Sequence, residues 1–213
     1  MPRDEFVQPI VLLVDKVDPA DEVDAIRATA IASITAYGKD LADGAPTLAW
    51  DAWLDGPFAK SVRRADRKTF EKVRAEYPDA IHVPIGLAEA LAFRPLPADQ
   101  MPRTLSRLQV SGTQLPNERE TSPAVPNTPT VFLNADLGMS TGKAAAQAAH
   151  ALFLWSLQAG DLITAYSEGI DCEVKIVGKQ EFDEIIDRCR PEAVITDAGR
   201  TEIEPGSVTA FAI

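Results

Sequence analysis

The sequence predicts an α/β fold: mixed β-sheets sandwiched by helices in three layers, built twice as two similar lobes in one chain. Three observations carry this expectation. Both halves repeat the order β-α-β-α-β-β. A polar stretch with four prolines, GTQLPNERETSPAVPNTP from Gly112 to Pro129, divides them as a linker does. Hydrophobic residues make up 46% and charged residues 25%, the balance of a chain able to bury a core. The expected organisation is a first lobe over 1–111, a linker over 112–128 and a second lobe over 129–213.

Each half opens with proline and a β-type apolar run, PIVLLVD at 9–15 and PTVFLNAD at 129–136. An Ala-rich helical pattern follows, over 21–37 and 142–158. Next come SVRRADRKTFEKV (61–73) and EVKIVGKQEFDEII (173–186), each a short strand, a turn and a helix. Val62 stands over Val174 and Phe70 over Phe182. AIHVPIG (80–86) then falls on AVITDAG (193–199), with one residue slipped. A short strand closes each half, near ALAFRP at 90–95 and SVTAFAI at 207–213. Repetition at this spacing points to duplication of a whole domain, not to a solenoid. Strands alternating with helices imply mixed or parallel sheets covered by helices.

Charge and composition narrow the function. The net charge is −11, which on average repels nucleic acid. The charge is unevenly spread: residues 58–107 hold ten Lys/Arg against six Asp/Glu, and residues 128–213 hold six against thirteen. No apolar run is long enough for a membrane span, and MPRDEFVQP lacks the basic and apolar regions of a signal peptide. Cys172 and Cys189 show no CxxC spacing and no nearby His pair, so they read as unpaired thiols. The expected compartment is the cytoplasm.

The stretch LGMSTGKAAAQAAHA (137–151) puts a Gly-Lys pair at a helix start, as a phosphate loop does. The spacing is wrong for one. Three residues separate Gly138 from Gly142 where the loop needs four, and Ala144 stands where a metal-ligating hydroxyl belongs. Lys143 is then a cation at the positive end of a helix dipole. It is either an exposed surface residue or the partner of an anion or polar substrate. Gln147 and His150 follow at helical spacing on the same face. A second polar cluster, ITDAGRTEIEPGSVT (195–209), collects Thr196, Asp197, Arg200, Thr201 and Thr209 where a strand ends. Asp197 is either a turn cap or part of a polar site.

Two segments, GKAAAQAAHA at 142–151 and TDAGRTEIEPGSVTAFAI at 196–213, resemble the type-2 peptidyl-tRNA hydrolases. EVKIVGKQEFDEII fits the middle strand and helix of that family, so the resemblance spans 129–213. It implies a mixed four-stranded sheet with helices on both faces. It also implies hydrolysis of the ester joining a peptide to tRNA, with neither metal nor nucleotide cofactor. Carried over, the catalytic set is Lys143, Gln147, Asp197, Thr201 and Thr209. Asp197 would orient water, Lys143 would stabilise the oxyanion, and the others would hold the ester and the water.

The first lobe lacks these residues. By the repeat, Lys143 falls on Val23, Gln147 on Arg27, His150 on Ala30 and Asp197 on Pro84. It carries instead the basic set Lys60, Arg63, Arg64, Arg67, Lys68, Lys72 and Arg74. A degenerate lobe of this kind serves either as a built-in dimer partner that holds tRNA phosphates, or as an ordinary solvated face. Lys60, Arg63, Arg64, Arg67 and Arg200 are the candidate tRNA contacts. A binding protein that kept the fold, and a hydrolase of another acyl substrate, are the alternative readings.

Overall fold

The computed structural model describes residues 5–199 and 202–213. The first half runs β1 (Phe6–Leu13), α1 (Glu22–Ala42), α2 (Leu48–Leu54), β2 (Ala59–Ala65), α3 (Arg67–Glu76), β3 (Ile81–Ile85) and β4 (Ala88–Ala92). A short β5 (Leu96–Pro97) and α4 (Arg103–Ser106) follow. The second half runs β6 (Thr130–Asn134), α5 (Thr141–Ala159), α6 (Leu162–Glu168), β7 (Glu173–Val177), α7 (Lys179–Cys189), β8 (Ala193–Thr196) and β9 (Val208–Ala212). Each half thus adds a short helix, α2 or α6, to the expected order. Two of its seven residues, Trp50 and Trp53, anchor α2 in the core.

The two sheets have the same order, β2-β1-β4-β3 and β7-β6-β9-β8, with β5 beside β1. The first pair in each is parallel and the other two pairs are antiparallel. The registers correspond as far as Ile195, where β8 breaks step with β9. Ile10 faces Val62 and Ala92 as Val131 faces Val174 and Ala212. Ile81 faces Ala92 as Ala193 faces Ala212. This corrects the sequence alignment in one detail. The block from Val62 to Ile85 runs against Val174 to Asp197 without a slip, so Asp197 stands over Ile85, not Pro84. Strand pairing sets register, and a one-residue slip would turn every side chain to the wrong face.

Period-2 alternation assigns each strand residue to a face. In β1, Ile10 and Leu12 join the cluster shared with α1, whereas Val11 and Leu13 pack with Phe70 and Val73 of α3. In the second sheet Val131 and Leu133 point to α5, whereas Phe132 and Phe211 pack with Phe182 and Ile185 of α7. Each sheet is flanked by helices on both faces, as expected.

The lobes share a core. Helices α1 and α5 pack on each other between the sheets, and one cluster of buried residues runs through both halves. Several of their alanines, among them Ala28, Ala32, Ala145 and Ala149, are fully buried and let the two backbones approach closely. Tyr37 stacks on Phe153 across the junction, with ring centroids 5.5 Å apart. The 112–128 segment lies along this body. Pro116 accepts from the Glu22 N–H at 2.7 Å, and the Ser122 N–H donates to the Val174 carbonyl at 2.9 Å. Among the described residues no helix is long and apolar enough to cross a membrane.

Candidate active site

The site begins where β6 ends. The Asn134 side chain accepts from the Asp136 N–H, and Gly138 adopts φ 57°, a left-handed turn favourable to glycine. Ser140 then caps α5, its hydroxyl accepting from the Lys143 N–H at 3.3 Å. This places Lys143 in the first turn and Gln147 one turn later on the same face. Facing them, β8 ends in a register irregularity between Ile195 and Thr196, the kind of break that re-aims the next side chain. Asp197 follows at once. Its backbone is pinned by its N–H donating to the Ser207 carbonyl at 2.9 Å and its carbonyl accepting from the Gly206 N–H at 2.8 Å.

The Asp197 carboxylate is the centre of the arrangement. Oδ2 accepts from Gln147 Nε2 at 2.7 Å and pairs with the Lys143 ammonium. Oδ1 accepts from the Gly199 N–H at 2.7 Å. The Asp197 side chain is 3% exposed and that of Lys143 13%, so the pair sits in a shielded position where charge interactions outweigh those in water. A carboxylate offers about four lone-pair sites, and contacts from the described residues occupy three. The resulting geometry pairs a held carboxylate with a cation able to meet a developing negative charge.

The pair opens on a cleft of about 930 Å³ between the lobes. The second lobe lines it with Lys143, Gln147, His150 and Asp197, and the first lobe with Phe58, Lys60 and Val62. His150 shares the Lys143 face of α5. Burial pushes its imidazole well below the usual range, and Lys60 and Lys143 add repulsion, which favours the neutral ring. Its Nδ1 is buried without a hydrogen-bond partner among the described residues.

The structure distributes the other candidate residues unequally. Thr209 is fully buried and its hydroxyl donates to the Ile195 carbonyl at 3.2 Å, bracing the strand that carries Asp197. Thr201 and Arg200 lie outside the described residues. Arg63 turns inward and donates from Nη1 to the carbonyls of Leu105 at 3.3 Å and Leu108 at 3.1 Å. Arg64 holds the Gly112 carbonyl at 2.9 Å, and Arg67 pairs with Glu89 and Asp15. Lys60 is not on an exposed strip. Its ammonium is buried, without a hydrogen-bond partner, over the rings of Trp53, Phe58 and Phe153 at 4.1, 4.2 and 4.5 Å from their centroids. Burial pushes it well below the usual lysine range. Sequence reading passed over Glu202, whose carboxylate accepts from the Ser140 hydroxyl at 2.7 Å and ties the 197–207 loop to the start of α5. Its setting inside TEIEPG was visible, but its partner was not.

Known proteins match the lobe that carries this site. The family model for peptidyl-tRNA hydrolase PTH2 matches residues 129–213. A peptidyl-tRNA hydrolase of Methanococcus maripaludis is 37% identical over 93 residues, covering 80% of that protein and 39% of this chain. The chain belongs to the peptidyl-tRNA hydrolase PTH2 family. A relative of that name from Aeropyrum pernix is 31% identical over 102 residues, 78% of its length and 39% of this chain. Another, from Halobacterium salinarum, is 35% identical over 90 residues, 80% of its length and 39% of this chain. No solved structure matches the chain. The family match coincides with the lobe in which Lys143, Gln147 and Asp197 converge, and the first lobe is a further body with the same strand order.

Proposed function

We propose that this chain hydrolyses the ester of peptidyl-tRNA, releasing the peptide acid and free tRNA. The observation that carries the reading is the convergence of Lys143, Gln147 and Asp197 on one shielded carboxylate at the cleft. Asp197 orients a water and polarises it towards the ester carbonyl. As the water oxygen adds, the carbonyl oxygen takes up negative charge and Lys143 Nζ meets it. Collapse breaks the bond from acyl carbon to ribose oxygen, and the proton taken from the water passes to that oxygen. Gln147 and the Gly199 N–H hold the carboxylate throughout. Thr209 acts at one remove, by fixing β8.

The first lobe is, in this reading, a degenerate copy of the same domain acting as an internal dimer partner. The matched sheet orders and registers support it. Exposed Arg67, Lys68, Lys72 and Arg74 on α3, with Arg64 of β2, supply a basic face for the tRNA backbone.

The test is release of N-acetylated amino acid from aminoacyl-tRNA by the purified protein beside Lys143→Ala and Asp197→Ala. Each variant is expected to lose at least ~10²-fold in rate. Undiminished cleavage by both variants sinks the mechanism, and no cleavage by folded wild type sinks the activity.

A further inference from the structure

The first lobe contributes more than a wall to the cleft. Among the described residues lining it, Lys143 is neutralised by Asp197 and Arg63 is held by backbone carbonyls. Lys60 alone of these cations has an ammonium that meets no acceptor. Glu5 also lines the cleft and has interactions of its own. Three ring faces enclose the Lys60 ammonium and solvent does not reach it. One of those rings belongs to Phe58, whose φ of 52° is rare for a residue with a side chain and costs backbone energy. The box is therefore held in place by the surrounding fold. It stows a cation on a flexible four-carbon stem that can swing.

Position narrows what the cation meets. His150 lies seven positions after Lys143 on α5, about 10 Å along the axis, and Phe153 of the box lies nearly one turn further. The box thus lies further along the cleft than the reacting pair, and the Lys60 stem can swing back from it. Peptide groups offer an ammonium only neutral carbonyl acceptors, whereas a nucleotide carries an anionic phosphate close to the ester-bearing ribose.

We propose that Lys60 is a phosphate-binding residue of the cleft, contributed by the first lobe, which leaves its aromatic box to pair with the phosphate of the substrate's terminal nucleotide. This rests on the hydrolase reading above, and the test separates the two. The N-acetylphenylalanyl esters of adenosine and of adenosine 5′-monophosphate are compared as substrates. Wild type is expected to prefer the phosphorylated ester at least ~10-fold in kcat/KM, and Lys60→Met to bring the ratio near one. Wild type without a preference, or Lys60→Met with the wild-type ratio, overturns the proposal.

Binding gives a readout independent of turnover. Trp53 touches the ammonium, so adenosine 5′-monophosphate is expected to change tryptophan fluorescence saturably in wild type and not in Lys60→Met. If wild type cleaves neither ester yet shows this Lys60-dependent signal, the hydrolase reading falls and the phosphate site stands. Cleavage without phosphate preference has the opposite meaning.

Discussion

Arg27 of α1 grips Asp171, two residues before β7, across the junction of the lobes. Nη2 lies 2.7 Å from each carboxylate oxygen and Nε lies 3.0 Å from Oδ1. With the two sheets matched by strand order, Arg27 of α1 stands where Gln147 stands on α5. Gln147 positions a carboxylate in the cleft, whereas its counterpart fastens one lobe to the other.

Removing one partner of this pair is expected to be unequal in its effects. The Arg27 side chain is 11% exposed and that of Asp171 32%. Asp171→Ala leaves a shielded guanidinium without its carboxylate, at a cost of about 2 kcal/mol after allowance for the exposure of Asp171. Arg27→Met leaves a carboxylate that water can reach and supplies apolar contact, so it is expected to cost less. Denaturant midpoints of both variants check the order. Equal or reversed losses contradict it.

Gly199 is expected to be intolerant of a side chain. A Cβ built there lies 2.3 Å from Pro205 Cγ, and the residue has φ +70°. Gly199→Ala must therefore shift the loop that carries Asp197 and weaken the N–H bond to Oδ1. The expected cost is about 2 kcal/mol, with hydrolysis falling more steeply than thermal stability. A variant with wild-type rate and melting temperature refutes this.

Glu22 makes the lobe junction sensitive to pH. Its carboxylate accepts from the Thr141 hydroxyl at 2.8 Å across the junction. Burial raises its pKa above the ordinary 4.5, the Thr141 bond opposes this, and Asp21 adds to the rise. The folded state therefore holds this proton more tightly than the unfolded chain. The contribution is fully present below the unfolded value and is lost as pH rises through the folded one. Glu22→Gln keeps an acceptor for Thr141 and stays neutral. Its melting temperature is expected to match wild type at about pH 4 and to exceed it at about pH 7. A difference that does not grow with pH contradicts the assignment.

Much of this arrangement was legible in the sequence because its causes are local. Apolar β-type runs opening on proline marked strands β1 and β6. Helical spacing put Lys143, Gln147 and His150 on one face of α5, and the resemblance placed Asp197 with them. The alignment error at Pro84 shows the limit. The letters of AIHVPIG and AVITDAG match best with a slip, yet strand pairing with Ala92 and Ala212 admits none. Lys60 shows a larger one. In the sequence it is one cation in a basic run with Arg63, Arg64 and Arg67, and no local pattern says that its strand faces Phe153 of another lobe.

By itself the sequence determined the order of elements, the placing of the polar pair at a helix start and a strand end, and the family of the second lobe. These rest on spacing along one chain, which secondary structure converts directly into faces. Only the tertiary structure decided that the lobes share a core through α1 and α5, that β2 walls the cleft, and that Thr209 is a buried brace. Those outcomes depend on which surfaces fit together. Close packing of alanine-rich helices is a property of two shapes meeting in space, and neither segment records its partner.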